Sequence, residues 1–223
     1  MSEIVLVVAA HPDDEVLGCG GTIARHTAAG DQVHVLFMAD GEASREEADI
    51  TERRLAANNC ADALGISERV FLDWPDNKLD SVPLLDVVQS LEPHIRRLNP
   101  SIVYTHFSGD LNIDHRITTQ AVMTACRPQP GSLPALKRIL SFEILSSTEW
   151  SMNETFVPNY WIDISDTLEK KMLALAPYDS EMREYPHTRS YQNVRQLAGL
   201  RGASVGVEYA EAFMLLRAVE KAV

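Results

Sequence analysis

The sequence predicts a single-domain α/β fold with a mostly parallel sheet flanked by helices. Continuous apolar runs of strand length, such as 4–8 and 101–105, alternate with longer stretches of helical character. This alternation is typical of right-handed βαβ units, which place their strands in parallel. The 223 residues, 45% of them hydrophobic, suffice for one full core, so we expect one domain over residues 1–223.

Each element is assigned from the length of its apolar run and from the residues that end it. Gly30 and Gly65 indicate where two helices stop, because glycine readily closes a helix. The predicted strands are 4–8, 32–39, 69–72, 101–105, 139–145 and 160–164. The predicted helices run from Val16 to near Gly30, over 45–64 and 82–98, up to Cys126, and over 166–176 and 191–199.

A polar turn follows the first predicted strand, with the sequence Ala9-Ala10-His11-Pro12-Asp13-Asp14-Glu15. Three acids beside a histidine repel one another unless a positive charge neutralises them, and a divalent metal does so directly. His11 and Asp14, three residues apart in a turn closed by Pro12, can converge on one ion. The alternative is an acidic, solvated turn whose aspartate caps the following helix.

A second polar turn follows the strand predicted at 101–105. It contains two histidines and two aspartates: His106, Asp110, Asp114 and His115. The carboxyl ends of parallel strands lie at one edge of a sheet, and ligands of open α/β sheets bind there. We therefore expect the two turns to face each other across a crevice and to build one site together.

Composition restricts the classes of partner and the compartment. A net charge of -12 argues against binding bare nucleic acid or an anionic membrane, although it does not exclude one locally held phosphate or nucleotide. The first apolar run is too short for a membrane span and lacks the basic region of a signal peptide. Cys19, Cys60 and Cys126 are scattered and form no CxxC pair, which fits reduced thiols in a cytoplasmic protein.

The two turns resemble those of the LmbE/PIG-L family of zinc-dependent N-deacetylases. The residues that carry this resemblance are Ala10-His11-Pro12-Asp13-Asp14-Glu15, Gly18-Cys19-Gly20-Gly21, Asp110-Leu111-Asn112-Ile113-Asp114-His115, Arg201-Gly202, Gly206 and Tyr209-Ala210-Glu211-Ala212-Phe213. They span nearly the whole chain, and the pairing of an AHPDDE turn with a later DH turn is a fairly specific signal.

The resemblance implies a Rossmann-like fold in which His11, Asp14 and His115 hold Zn²⁺, with other divalent metals as alternatives. It implies that Asp13 is the general base that activates water, and that the enzyme hydrolyses the N-acetyl group of an amino sugar or a metabolite containing one. The implied partner is a small N-acetylated sugar or sugar nucleotide. Similar proteins form homo-oligomers, but the sequence fixes no number of subunits.

Further candidates for contacting the substrate or supporting the metal each have a simpler alternative. Asp114 orients a metal ligand or caps the helix that follows it, and Asp110 belongs to the same turn. Arg53 binds substrate hydroxyls or a phosphate, or is only a solvated helix charge. Asp40, at the end of the second strand, contacts substrate or supports the first turn. The stretch 146–150 lines a sugar site or has core and capping roles.

One departure from the family concerns Asn112, at a position where members often carry a histidine. Asparagine can donate a hydrogen bond but cannot deliver a proton at neutral pH. The loop 185–190 offers His187 and Arg189 as replacements, and His106 is the other candidate. We expect this loop to fold over the metal, His187 to face the substrate carbonyl and Arg189 to hold a hydroxyl or phosphate. The alternative is a surface loop without a role in the reaction.

Two rival functions remain open. A nucleotide-binding Rossmann protein would use Gly18, Gly20 and Gly21 for a phosphate and Asp40 for a ribose, but their spacing is not G-x-G-x-x-G. A non-catalytic protein that binds metal and sugar is the other rival. The presence of Asp13, which zinc binding does not require, argues against it.

Overall fold

The computed structural model describes residues 2–41, 50–152 and 154–220. Its strands are β1 (Ile4–Ala9), β2 (Gln32–Ala39), β3 (Glu68–Trp74), β4 (Ile102–His106), β5 (Arg138–Phe142), β6 (Tyr160–Asp163) and β7 (Ala210–Ala218). Its α-helices are α1 (Asp14–Ala28), α2 (Ile50–Leu64), α3 (Leu84–Leu98), α4 (Ile113–Ala125), α5 (Leu168–Leu175) and α6 (Tyr191–Ala203). Short 3₁₀ helices cover Leu79–Ser81, Thr148–Trp150 and Ala176–Glu181.

The seven strands form one sheet in the order β3-β2-β1-β4-β5-β7-β6. The pairings from β3 across to β5 are all parallel, whereas β7 runs antiparallel to both β5 and β6. The prediction of a mostly parallel α/β sheet is therefore confirmed. Because β1 and β4 are neighbours, the turns that follow them meet at one edge.

Both faces of the sheet are covered, as the continuous apolar runs require. Alternate residues of β1 point to opposite faces: Val5 and Val7 pack in a cluster with α1, α2, α5 and α6, while Leu6 and Val8 pack with α3 and α4. Within the described ranges, no helix is both long and apolar enough to cross a membrane.

The glycines after the first turn bring α1 close to the sheet. A Cβ on Gly18 would lie 2.4 Å from the Phe142 ring, and one on Gly21 would lie 2.8 Å from Ile164. The helix is broken at Cys19, and the Gly21 N–H donates to the Glu211 carboxylate at 3.0 Å. These glycines therefore serve helix packing rather than the phosphate-binding role that the nucleotide-binding rival would require.

The element bounds differ from the prediction in a few places. Helix α1 begins at Asp14 rather than Val16, and α6 extends beyond 199 to Ala203. The helix expected over 45–64 is seen from Ile50, because 42–49 lie outside the described residues. Strand β7 is absent from the prediction, since a short apolar run with mixed neighbours does not distinguish a strand from a helix.

Candidate active site

The two polar turns lie side by side at the carboxyl edge of the sheet, as the sequence predicts. In the register between β1 and β4, Val7 pairs with Tyr104, so both strands end at the same level. His106, the last residue of β4, accepts a hydrogen bond at Nε2 from the backbone N–H of Ala10, at 2.8 Å. This bond ties the second turn directly to the first.

The structure brings His11, Asp14 and His115 together, and each offers one donor atom within 4.8 Å of the others. Asp14 Oδ2 lies 3.2 Å from His11 Nδ1 and 3.3 Å from His115 Nε2. All three side chains are buried. Two imidazole nitrogens and one carboxylate are the donor set of catalytic zinc sites, in which a further position stays open.

The nitrogens of the two histidines that face away from this triad contact other carboxylates. His115 Nδ1 lies 3.0 Å from Asp110 Oδ1, and His11 Nε2 lies 3.1 Å from both Asp114 Oδ2 and Asp76 Oδ1. Carboxylates in this position fix the tautomer and orientation of metal-binding imidazoles. His11, Asp76 and Asp114 also form a second group of potential donors, but it shares His11 with the triad. We interpret this second group as the support of His11.

The structure shows that Asp114 supports a histidine of the triad and that Asn112, rather than Asp114, caps the following helix. Asp114 accepts backbone hydrogen bonds from Asn77 at 2.7 Å and Leu79 at 3.0 Å, and contacts His11. The cap of α4 is Asn112, whose Oδ1 accepts from the Asp114 N–H at 2.8 Å. Asn112 Nδ2 donates to Asn77 Oδ1 at 3.2 Å, so both of its polar atoms have partners.

The electrostatics of the triad favour a positive charge. Burial opposes the charged form of His11, yet the neighbouring Asp114, Asp14 and Asp76 hold its pKa well above the usual range. For His115, Asp14 and Asp110 similarly outweigh burial and raise the pKa to about 9. A buried pocket whose carboxylates favour positive charge in this way suits a divalent cation, and the donor set therefore fits Zn²⁺.

Asp13 is not among the donors of either group, although it lies between His11 and Asp14 in sequence. It is only 2% exposed, and its φ of 118° is a strained left-handed conformation for a residue with a side chain. Its N–H donates to Glu15 Oε2 at 2.9 Å, which secures this backbone. Burial raises the pKa of Asp13, although Arg53 and Arg189 oppose the shift.

Two arginines from distant elements contact the same oxygen of Asp13. Arg53 Nη2 on α2 lies 3.2 Å from Asp13 Oδ2, and Arg189 Nη1 lies 3.0 Å from it. Arg53 is 6% exposed and also pairs with Glu181 at 2.6 Å. The interpretation of Arg53 as a solvated helix charge is therefore wrong, because its guanidinium is buried between two carboxylates.

The loop 185–190 does reach the site, but through a different side chain from the one expected. His187 is exposed; its Nδ1 accepts the Arg189 N–H at 3.0 Å, and its ring meets the Trp150 ring edge-on at 6.1 Å. It is not among the residues that line the cavity. Arg189 extends inward to Asp13 instead, so the structure differs here from the expectation that His187 faces the substrate.

His106 and Asp40 lie at the same edge without lining the cavity. His106 is fully buried and stacks on the His115 ring at a centroid distance of 3.9 Å. Burial and the neighbouring His115 hold its pKa well below the usual range, so it remains neutral beside the triad. Asp40 is half-buried, and its N–H donates to the Trp74 carbonyl at 3.0 Å.

The triad opens into a polar cavity of about 170 Å³. It is lined by His11, Asp13, Asp14, Gly41, Arg53, Asp76, Asn77, Asn112, His115, Ser146, Ser147, Glu181 and Arg189. The sequence predicts no role for Asp76, Asn77 or Glu181. Asp76 and Asn77 follow β3, so the rule that polar residues after parallel strands meet at one edge could have identified them. Glu181 ends a 3₁₀ helix and carries no comparable signal.

Fold and site together define an α/β domain with a His-Asp-His triad between the carboxyl ends of two adjacent parallel strands. A family model described as GlcNAc-PI de-N-acetylase (PIG-L) matches residues 6–126, and the chain belongs to this family. The match includes both polar turns and all three triad residues.

Two of the proteins with similar sequences are named as deacetylases. The uncharacterized deacetylase YaiS of Escherichia coli K12 is 32% identical over 134 residues, covering 58% of this chain and 71% of the relative. The diacetylchitobiose deacetylase of Thermococcus kodakarensis is 28% identical over 225 residues, covering 93% and 80%.

Solved structures share the whole fold. The conserved protein TT1542 of Thermus thermophilus superposes with a TM-score of 0.79 at 28% identity, covering 100% of this chain and 98% of that one. GalB, the 4-carboxy-2-hydroxymuconate hydratase of Pseudomonas putida, superposes with a TM-score of 0.77 at 23% identity, covering 99% and 100%. Since the second likeness extends to a hydratase, the fold alone does not specify the reaction.

Proposed function

We propose that this protein is a zinc-dependent hydrolase that removes the N-acetyl group from an amino sugar or an amino-sugar metabolite. The observation that carries the proposal is Asp13, a buried carboxylate that lines the triad's cavity while leaving the donor positions to His11, Asp14 and His115. A purely metal-binding or sugar-binding protein has no use for this strained residue. Membership in the deacetylase family and the named relatives support the same reaction.

In the proposed reaction, Asp13 takes the proton of the attacking water and returns it to the departing amine. Its raised pKa suits a group that must both accept and release a proton. When bound at the triad, zinc supplies Lewis-acid chemistry that acidifies water and polarises a carbonyl. The products are acetate and a free amine.

Arg189 is our candidate for the cation that faces the reacting carbonyl. Its Nη1 is 3.0 Å from Asp13 Oδ2, and its Nε donates to Ser146 Oγ at 2.9 Å, so the guanidinium is held at the base. A preorganised donor of this kind stabilises the charge that develops on the carbonyl oxygen. Asn112 is less suited to this role, because its amide already bonds to Asn77.

The carboxylates behind the histidines serve as positioning residues in this proposal. Asp110 holds His115, and Asp114 with Asp76 holds His11, so that each imidazole directs one nitrogen at the metal position. Asp110 is itself fixed by hydroxyl donors, with Ser147 Oγ at 3.0 Å and Thr148 Oγ1 also donating to it.

The test is acetate release by the zinc-loaded protein from a panel of N-acetylated sugars. Asp13→Asn keeps the shape but cannot accept a proton, so we expect it to retain zinc and to lose activity by about 10² to 10⁴-fold. Asp62→Asn is the matched control, since Asp62 is an exposed carboxylate paired with Arg69 on the surface. A panel without acetate release, or an Asp13→Asn rate within a few-fold of the parent, contradicts the proposal.

A further inference from the structure

The charge lining the cavity is carried by two kinds of side chain. Among the residues that the structure describes, the lining contains four carboxylates and two guanidinium groups, besides the two histidines: Asp13, Asp14, Asp76, Glu181, Arg53 and Arg189. The net charge of these groups decides whether an anionic, neutral or cationic substrate can bind in the cavity.

Both guanidinium groups already have carboxylate partners. Arg53 lies between Asp13 at 3.2 Å and Glu181 at 2.6 Å. Arg189 lies 3.0 Å from Asp13 and 3.9 Å from Glu181. Glu181 is only 4% exposed, so this pairing is shielded from solvent and weakly screened. The arginines therefore compensate charges of the protein itself.

A divalent ion does not reverse this balance. The two charges of the ion and those of the two arginines together equal the four carboxylates that line the cavity. Asp110 and Asp114, behind the histidines, add further negative charge. The chain as a whole carries a net charge of -12. Even with its metal, the part of the site that the structure describes thus has no surplus positive charge for an anionic substrate.

Among the described residues, the remaining polar groups of the wall are neutral. Asn77, Asn112, Ser146 and Ser147 line the cavity with amide and hydroxyl groups. Amides and hydroxyls are both donors and acceptors, and so are the hydroxyl groups of a sugar. The wall is therefore suited to hydrogen bonding with an uncharged saccharide.

We infer that the substrate is an uncharged N-acetylated saccharide or neutral glycoside, and that Glu181 is the residue that excludes sugars bearing a phosphate or carboxylate. By compensating Arg53, Glu181 removes the charge that would otherwise attract an anion. This inference rests on the proposed function and narrows it, because it excludes the sugar nucleotides that the sequence leaves open.

The test compares two matched ligands by calorimetry on the zinc-loaded protein: methyl glucoside and its 6-phosphate, which lack the amide and are therefore not hydrolysed during the titration. We expect the phosphate to bind at least about tenfold more weakly, because it meets uncompensated carboxylates at short range. Equal or tighter binding of the phosphate, or no binding of the neutral glycoside, overturns the inference. This measurement needs no turnover, so it is distinguishable from a failure of the acetate assay.

Glu181→Gln sharpens the test by removing one of the two carboxylates that contact Arg53. We expect the affinity for the phosphate, relative to that for the neutral glycoside, to rise by about tenfold, which is the effect of one charge in a shielded site. Glu143→Gln is the matched control, since Glu143 forms a similar pair with Arg201 at 2.7 Å but does not line the cavity. An unchanged ratio in a folded Glu181→Gln protein overturns the role of Glu181. If that variant fails to fold, the ligand comparison on the parent protein still decides the substrate class.

Discussion

Two parts of the chain contribute to the cavity in different ways. The part from β1 to α4 supplies all three triad residues, from the turn after β1 and from the first turns of α1 and α4. The part from β5 to β7 supplies Ser146, Ser147, Glu181 and Arg189, which lie on connections between elements. The triad residues are thus fixed near strand ends of the parallel sheet, whereas one wall of the cavity comes from longer connections. We infer that, in this protein, the first part sets the chemistry and the second part sets which substrates are accepted.

The largest expected effect comes from removing a donor in the first part. His115→Ala should lose the bound metal, and activity should fall by more than the roughly 100-fold that a supporting carboxylate is worth. Metal analysis and acetate release measure both quantities. His34→Ala, which removes a histidine of β2 that pairs with Glu68 of β3, is the control. Full metal content with full activity in His115→Ala would exclude this residue from the triad.

A substitution in the second part should separate catalysis from metal binding. Arg189→Met keeps much of the length of the side chain but removes the donor beside Asp13, so we expect kcat to fall by about 10² to 10³-fold. Metal content should stay at the parent value. Arg183→Met is the control, since Arg183 donates to backbone carbonyls in its own segment. Loss of metal in Arg189→Met would contradict the division between the two parts.

A smaller effect is expected for a carboxylate behind the triad. Asp110→Asn weakens the hold on His115, and we expect metal affinity to fall by about 10 to 100-fold. Competition with a chelator of known affinity measures the change. Asp86→Asn, at an exposed carboxylate in the first turn of α3, is the control. An unaltered affinity would mean that the contact of Asp110 with His115 does not position the imidazole.

The smallest effect is expected for His187→Ala. The exposed imidazole contacts Trp150 and the Arg189 backbone, so its loss should change KM modestly and leave kcat near the parent value. Steady-state kinetics on the same substrate decide the question. A loss of kcat by about 10²-fold or more would restore the expectation that His187 faces the substrate carbonyl, and would move that role away from Arg189.

Much of this protein follows from local sequence patterns. Apolar runs and the residues that end them predict the parallel strands, because burial on both faces demands continuous hydrophobic segments. The meeting of the two polar turns follows as well, since turns after adjacent parallel strands must meet at one edge, and the family resemblance singles out His11, Asp14 and His115 within them. These features depend on residues that are close in sequence or on a rule of sheet topology, so the linear order suffices.

The tertiary structure alone decides which carboxylate holds which histidine and which arginine reaches the base. Asp114 supports His11 rather than its neighbour His115, and Asp13 meets Arg189 across 176 positions of sequence. Glu181, which compensates both arginines, has no motif of its own. Such contacts depend on how far each connection reaches over the sheet edge, and no local pattern encodes that distance. The sequence therefore determines the triad, whereas the packing of distant loops determines the electrostatics of the cavity around it.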